Sequence, residues 1–206
     1  VLADVDRTAL DTMVDALRTA HGADRVRGVT GDVTSESSVR GMFDAAIREC
    51  RRRTLAHMPL PEEESFTVEY VTDKSWSGYN WYQGSFRSLI QVNTDLPIYI
   101  DRAVDLACHE GYPGHHVYNT LLEKHLVRDR GWLEFSVSPL FSPQSLIAEG
   151  TANYGIEVAF PGEERVQYEQ QVLFPAAGLD PARAGEYYQV QALVSPETRS
   201  GDGSSG

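Results

Sequence analysis

The strongest chemical signal in this 206-residue chain is His109-Glu110-Gly111-Tyr112-Pro113-Gly114-His115-His116, which sets three imidazoles and a carboxylate within eight positions. Such a set suits a zinc ion that activates water. Catalytic zinc takes three protein ligands and keeps a fourth position open, and a carboxylate beside a ligand serves as general base. The common helical solution is His-Glu-x-x-His, with both imidazoles on one face at i and i+4. Here i+4 is Pro113, which cannot bind a metal. In a regular helix His116, at i+7, returns to the face of His109 but sits roughly 10 Å along the axis, too far to share one ion. A two-residue bulge at Pro113-Gly114 brings His115 back instead, because Pro removes a helical hydrogen bond and Gly tolerates unusual dihedrals. The expected assignment is therefore His109 and His115 as ligands and Glu110 as the base. His116 is left to support the ligands or touch substrate.

The third ligand must come from another element. Glu149 is the best candidate, in Leu146-Ile-Ala-Glu-Gly-Thr-Ala-Asn-Tyr154. Apolar residues precede it, so it is expected to face inward, where a metal would relieve the cost of a buried carboxylate. Asn153 and Glu157 follow at i+4 and i+8 and are placed to hydrogen-bond the ligands from outside. An oxyanion donor is expected from His116, Tyr154, Tyr187 or Tyr188. Phe86–Val92, just ahead of the histidines, is expected to act as an edge strand that pairs with an extended peptide. The bland readings are a satisfied His/Glu polar network, and Glu149 as an acid favoured at a helix start. Cys108 is expected to pack inside the helix.

The elements that must hold these residues read as α+β, mainly helical. Residues 1–53 show a βαβα pattern: a strand at Val1–Val5, a helix from Asp6 to about Ala20, a strand at Arg25–Val29 and a helix from Ser35 to about Arg53. The Arg51-Arg52-Arg53 run reads as a solvated helix face. His57 to Glu64, with two prolines and a charge run, reads as a linker. Strands follow at Phe66–Val71, Tyr79–Tyr82 and Phe86–Val92, punctuated by Gly78 and Gly84. One long helix is expected from about Asp101 to Val127, another from Ser145 to Phe160, a short one at Arg165–Leu173 and a last from Asp180 to Val194. The Gly/Ser-rich tail 195–206 is expected to be disordered. The domain expectation is 1–53, 54–194 and this tail.

Two resemblances refine this. "VLADVD" and "GVTGDVTSESSV", within residues 1–47, resemble an internal piece of a short-chain dehydrogenase, although the Gly-rich turn that holds the pyrophosphate is absent. Tyr70-x-x-x-Lys74 matches that family's catalytic spelling, but in a strand-like context. Asp4, Asp6 and Asp32 are accordingly read as remnants or solvent-facing acids. From about residue 55 to 194, "NTDLPIYIDRAVDLACHEGYPGHHVYN" and "SLIAEGTANYGIE" resemble a bacterial family known as domain of unknown function 885. The His-Glu-x-x-Pro-Gly-His-His pattern also looks like the zinc helix of gluzincin peptidases. That resemblance implies His109, His115 and Glu149 at one zinc ion and Glu110 as the base. It also implies a mainly helical fold with a small sheet beside the zinc helix, and metallopeptidase-like chemistry.

Composition narrows the partners. The net charge of −12 argues against nucleic acid, whose phosphates need Lys and Arg. No apolar run approaches the roughly 20 residues of a membrane helix, and Val1-Leu-Ala leads into Asp4 without a secretory signal. Two cysteines make a disulfide framework unexpected and fit a reducing cytoplasm. The sequence thus points to a cytoplasmic zinc hydrolase acting on peptide or other amide bonds. The alternatives are a truncated, non-catalytic metal-binding remnant and an NAD(P)-binding oxidoreductase fragment.

Overall fold

A computed structural model describes residues 2–4, 12, 15, 16, 18, 19, 28–30, 36–95 and 98–194. In Phe66-Thr-Val-Glu-Tyr-Val the period of two sends Phe66, Val68 and Tyr70 toward the core and leaves Thr67 and Glu69 exposed. This strand, β3 (Ser65–Val71), joins β4 (Gly78–Gly84) and β5 (Arg87–Asn93) in a small sheet. β5 runs parallel to β3 and antiparallel to β4, so the order is β3-β5-β4. β5 is therefore central, which corrects its expected role as an edge strand. Both its sides are occupied by ladder hydrogen bonds, and the outer edges belong to β3 and β4. Near the amino end, β1 (Leu2–Asp4) and β2 (Gly28–Thr30) pair in parallel, as the βαβ pattern requires. The expected helix from Asp6, Asp6 and Asp32 themselves, and the tail 195–206 lie wholly or mostly outside the described residues.

The long amphipathic helix α1 (Glu36–Leu55) buries Val39, Met42, Phe43, Ala46 and Cys50 along one stripe. These residues enter the same core as the buried face of β5 and the helix α2 (Ile100–Leu106), which continues as a π-helical turn, Ala107–Gly111. The expected boundary at 53/54 falls inside α1. The Arg run lies at its end with Arg51 and Arg52 exposed, and each of the three charges is paired. Arg51 chelates Glu64 through Nε and Nη2, Arg52 holds Glu49, and Arg53 reaches Glu49, Glu164 and the carbonyl of Ala159.

The single helix expected from Asp101 to Val127 is two. The chain leaves helical geometry at Tyr112, the Tyr112–Pro113 bond is cis, and α3 (His115–Leu122) begins afresh before a second π-helical stretch, Glu123–Arg128. Then α4 (Pro143–Ala159) starts on a Ser-Pro pair: the Ser142 hydroxyl accepts from the Ser145 amide, and Pro143 fills the first turn, where no amide hydrogen is needed. Glu164–Tyr168 (α5), a π-helical turn and Phe174–Ala176 (α6) follow, and α7 (Ala184–Val194) closes the described chain. Among the described residues no helix is long and apolar enough to cross a membrane.

Cys50 and Cys108 are fully buried and joined in a disulfide, contrary to the expectation that Cys108 merely packs. The link ties α1 to the residue before His109. Disulfides persist in oxidising compartments, so the cysteines no longer point to a reducing cytoplasm. The bridge spans 58 residues, and the chain-entropy relation puts its contribution at about 4 kcal/mol. Cys50→Ala with Cys108→Ala is expected to lower the free energy of unfolding by that order in denaturant titration. An unchanged midpoint would mean that the link adds no stability.

Candidate metal centre

The break between α2 and α3 makes the site. The π-helical turn rotates His109 relative to a regular helix, and the chain then folds back so that Gly114 lies against the carbonyls it has just left. The Gly114 amide donates to the Cys108 carbonyl at 2.9 Å. A Cβ at Gly114 would sit 1.8 Å from the His109 carbonyl oxygen, so only glycine fits there. The sequence reading expected a bulge within one continuous helix; the structure instead restarts the helix. α4 closes the third side. A Cβ at Gly155 would lie 2.9 Å from Pro113 Cγ, so the absent side chain sets how closely α4 approaches this corner.

His109 and His115 meet as the bulge reading expected, with their Nε2 atoms 3.1 Å apart. Glu149 spans both, one carboxylate oxygen 3.2 Å from His109 Nε2 and the other 3.2 Å from His115 Nε2. One ligand atom from each of the three residues lies within 4.8 Å of the others, a grouping able to hold a metal ion. Tetrahedral zinc separates neighbouring donors by about 3.3 Å, close to the spacing of the two imidazole nitrogens and of each from its nearer Glu149 oxygen. Asn153 Oδ1 accepts from His109 Nδ1 at 3.1 Å, which keeps the proton on Nδ1 and turns the Nε2 lone pair toward the centre. Burial, and then the charge of His109, lowers the pKa of His115 and favours the neutral ring a metal requires.

Glu149 does not face inward as expected. Its side chain is 55 % exposed, and the apolar neighbours Leu146, Ile147, Tyr154 and Val158 are exposed on the outer face of α4. Its carboxylate reaches the imidazoles across the rim of a cavity of about 810 Å³. Glu110 lines the same cavity but is buried. Burial, reinforced by the Glu149 charge and opposed by Arg102, pushes its pKa up to about 7, in the range where a carboxyl can both take and give a proton. The Asn80 side-chain amide donates to the Glu110 carbonyl at 2.7 Å and holds this turn against β4.

The other expected residues lie elsewhere. His116 points away from the cavity into a sealed network. Its Nε2 is 2.9 Å from Glu64, its Nδ1 is 2.8 Å from the Ser88 hydroxyl, and the ring is fully buried. Tyr112 donates to the same Glu64 oxygen at 2.6 Å, and Arg51 chelates the other. Tyr154 and Glu157 are exposed and do not line the cavity. Tyr187 and Tyr188 also lie outside it, and their hydroxyls donate to Asp101 and Glu169. Burial pushes Glu169 up to about 7 despite Arg165 beside it. The sequence reading missed Glu64, which looked like the last acid of a linker, as well as Arg102, Tyr118 and Asn119 in the cavity wall. Only the position of Tyr118, one turn beyond His115, could have marked any of them.

No protein-family model, curated protein or solved structure matches this chain.

Burial would push the Glu64 carboxyl up, but the hydrogen bonds from His116, Tyr112 and Arg51 outweigh it and hold the group at about 2. A folded pKa below the ordinary 4.5 means that the folded state holds fewer protons. The resulting stability is complete above about pH 4.5 and is lost as pH falls toward 2. Its size is on the order of 3 kcal/mol. Glu64→Gln should therefore unfold more easily at pH 7, and the gap to wild type should close as pH falls through that window. A gap that does not change with pH would rule out this origin.

Proposed function

We propose that this protein is a zinc-dependent hydrolase of the metallopeptidase type that cleaves peptide or related amide bonds. The carrying observation is the grouping of His109, His115 and Glu149, with ligand atoms within 4.8 Å of one another, at the rim of a cavity that also holds the buried carboxyl of Glu110. The resemblance of the His-Glu-x-x-Pro-Gly-His-His stretch to the domain of unknown function 885 family supports the same reading.

His109, His115 and Glu149 would hold the ion. When bound, zinc supplies a Lewis acid that polarises a carbonyl and acidifies water. Glu110 accepts a proton from the attacking water and delivers it to the leaving nitrogen as the C–N bond breaks. Asn153 fixes the ring of His109 throughout. Donors for the developing oxyanion come from the cavity's own lining, Tyr118 and Asn119, rather than from the tyrosines the sequence suggested. Gly78, Tyr79 and Asn80 of β4, an outer strand, line the cavity, so an extended substrate would lie against β4 and not β5.

Metal analysis of the purified chain should find about one zinc per molecule, lost in His109→Ala and in Glu149→Ala. Glu110→Gln should keep the zinc and cut peptide turnover by roughly 10²–10⁴-fold. Folded protein without metal would sink this reading, as would a Glu110→Gln variant that cleaves as well as wild type. Zinc uptake with no turnover on any peptide would instead identify a metal-binding remnant.

A further inference from the structure

Apart from the two ligand histidines, the cavity wall holds a single basic side chain among the described residues, Arg102. It lies on α2, the helix that continues into His109, and its side chain is 46 % exposed. Its Nη2 donates to the Ser77 hydroxyl at 2.9 Å, which pins the guanidinium against the loop leading into β4. Asp105 is 3.8 Å from Nη1, too far for a hydrogen bond, and lies 2.8 Å from Arg165 instead. A planar fork of five donors is thus held at the cavity wall by one hydrogen bond and a longer ion pair.

The fork lies close to the reacting groups. Ser77 adjoins Gly78, where an added Cβ would be 3.2 Å from Glu110 Oε1. Arg102 lines the same cavity as Glu110, His109, His115 and Glu149. Toward the opposite end, a further cavity of about 380 Å³ shares Asn119 and Ser138 with the first and extends past Glu123.

We propose that Arg102 binds the C-terminal carboxylate of the substrate, so that the enzyme favours peptides or acyl-amino acids that end in a free acid within the cavity. This rests on the hydrolase reading above. In the reaction the water oxygen bonds to the carbonyl carbon, the C–N bond breaks, and the leaving nitrogen takes its proton through Glu110. The products are a shortened chain with a new carboxylate and a C-terminal fragment with a free amine, whose own carboxylate stays on Arg102 until release.

The test compares an N-benzoyl dipeptide with its C-terminal amide. Binding is measured on zinc-loaded Glu110→Gln full-length protein, and turnover on wild type. The acid should bind at least about ten-fold tighter than the amide, the scale of a bidentate charge-assisted pair. Adding Arg102→Ala should bring that ratio to about one, with Arg102→Lys in between. The ratio within each variant does not depend on how much of the protein is folded, and zinc content is read alongside. Equal binding of acid and amide, a preference that survives Arg102→Ala, or no binding of either probe overturns the anchor. If the acid preference appears while wild type hydrolyses neither compound, the anchor stands and the hydrolase reading falls.

Discussion

Two imidazoles six residues apart on one helix cannot meet, because regular helical geometry sends positions i and i+6 to different faces and different heights. The chain meets this constraint by abandoning the helix between them, and much of the local structure follows from that break. The orphaned carbonyl of Cys108 needs a donor, and Gly114 supplies it from a distance no other residue could tolerate. Pro113 then protrudes on the side where α4 arrives, and Gly155 is the residue that lets α4 come close. Glu149 and Asn153 reach His109 because that contact sets the height of α4 beside the turn.

A break of this kind removes helical hydrogen bonds and needs compensation, which comes from behind the site. Glu64 receives donors from Arg51, Tyr112 and His116, while Ser88 pairs with the far side of the His116 ring. Tyr112, just before the Pro113-Gly114 corner, and His116, two residues after it, are thus fastened to one buried carboxylate. The protein has another buried acid, Glu169, whose environment acts in the opposite direction: burial outweighs Arg165 and raises it. Similar desolvation leads to opposite protonation because only Glu64 is surrounded by three donors.

The α+β, mainly helical class was legible from periodicity, and the three strands of the small sheet fell close to where alternation and glycine punctuation set them. The meeting of His109 with His115 was legible because Pro113 excluded the usual spacing. What could not be read were properties of surroundings rather than of residue types. Sheet order depends on which edges meet in space, so β5 looked the same as an edge strand. Glu62, Glu63 and Glu64 are identical letters in a row, and only packing buries the last. Glu149 was expected inside because apolar residues precede it, yet Leu146 and Ile147 face outward on α4. His116 and the tyrosines near residue 187 were plausible by type alone, and each is committed to a carboxylate elsewhere.

The disulfide gives the two sides of the candidate site different mechanical character. Cys108 is covalently part of the core and adjoins His109, so the turn carrying that ring shares the cooperativity of α1 and opens only when that larger unit opens. α4 has no such tether. It meets the corner through a glycine, its outer face is solvated, and Glu149 stands at the rim. The imidazole side acts as a fixed template and the carboxylate side as the compliant jaw. If a metal ion binds here, adjustment of its surroundings would fall to Glu149.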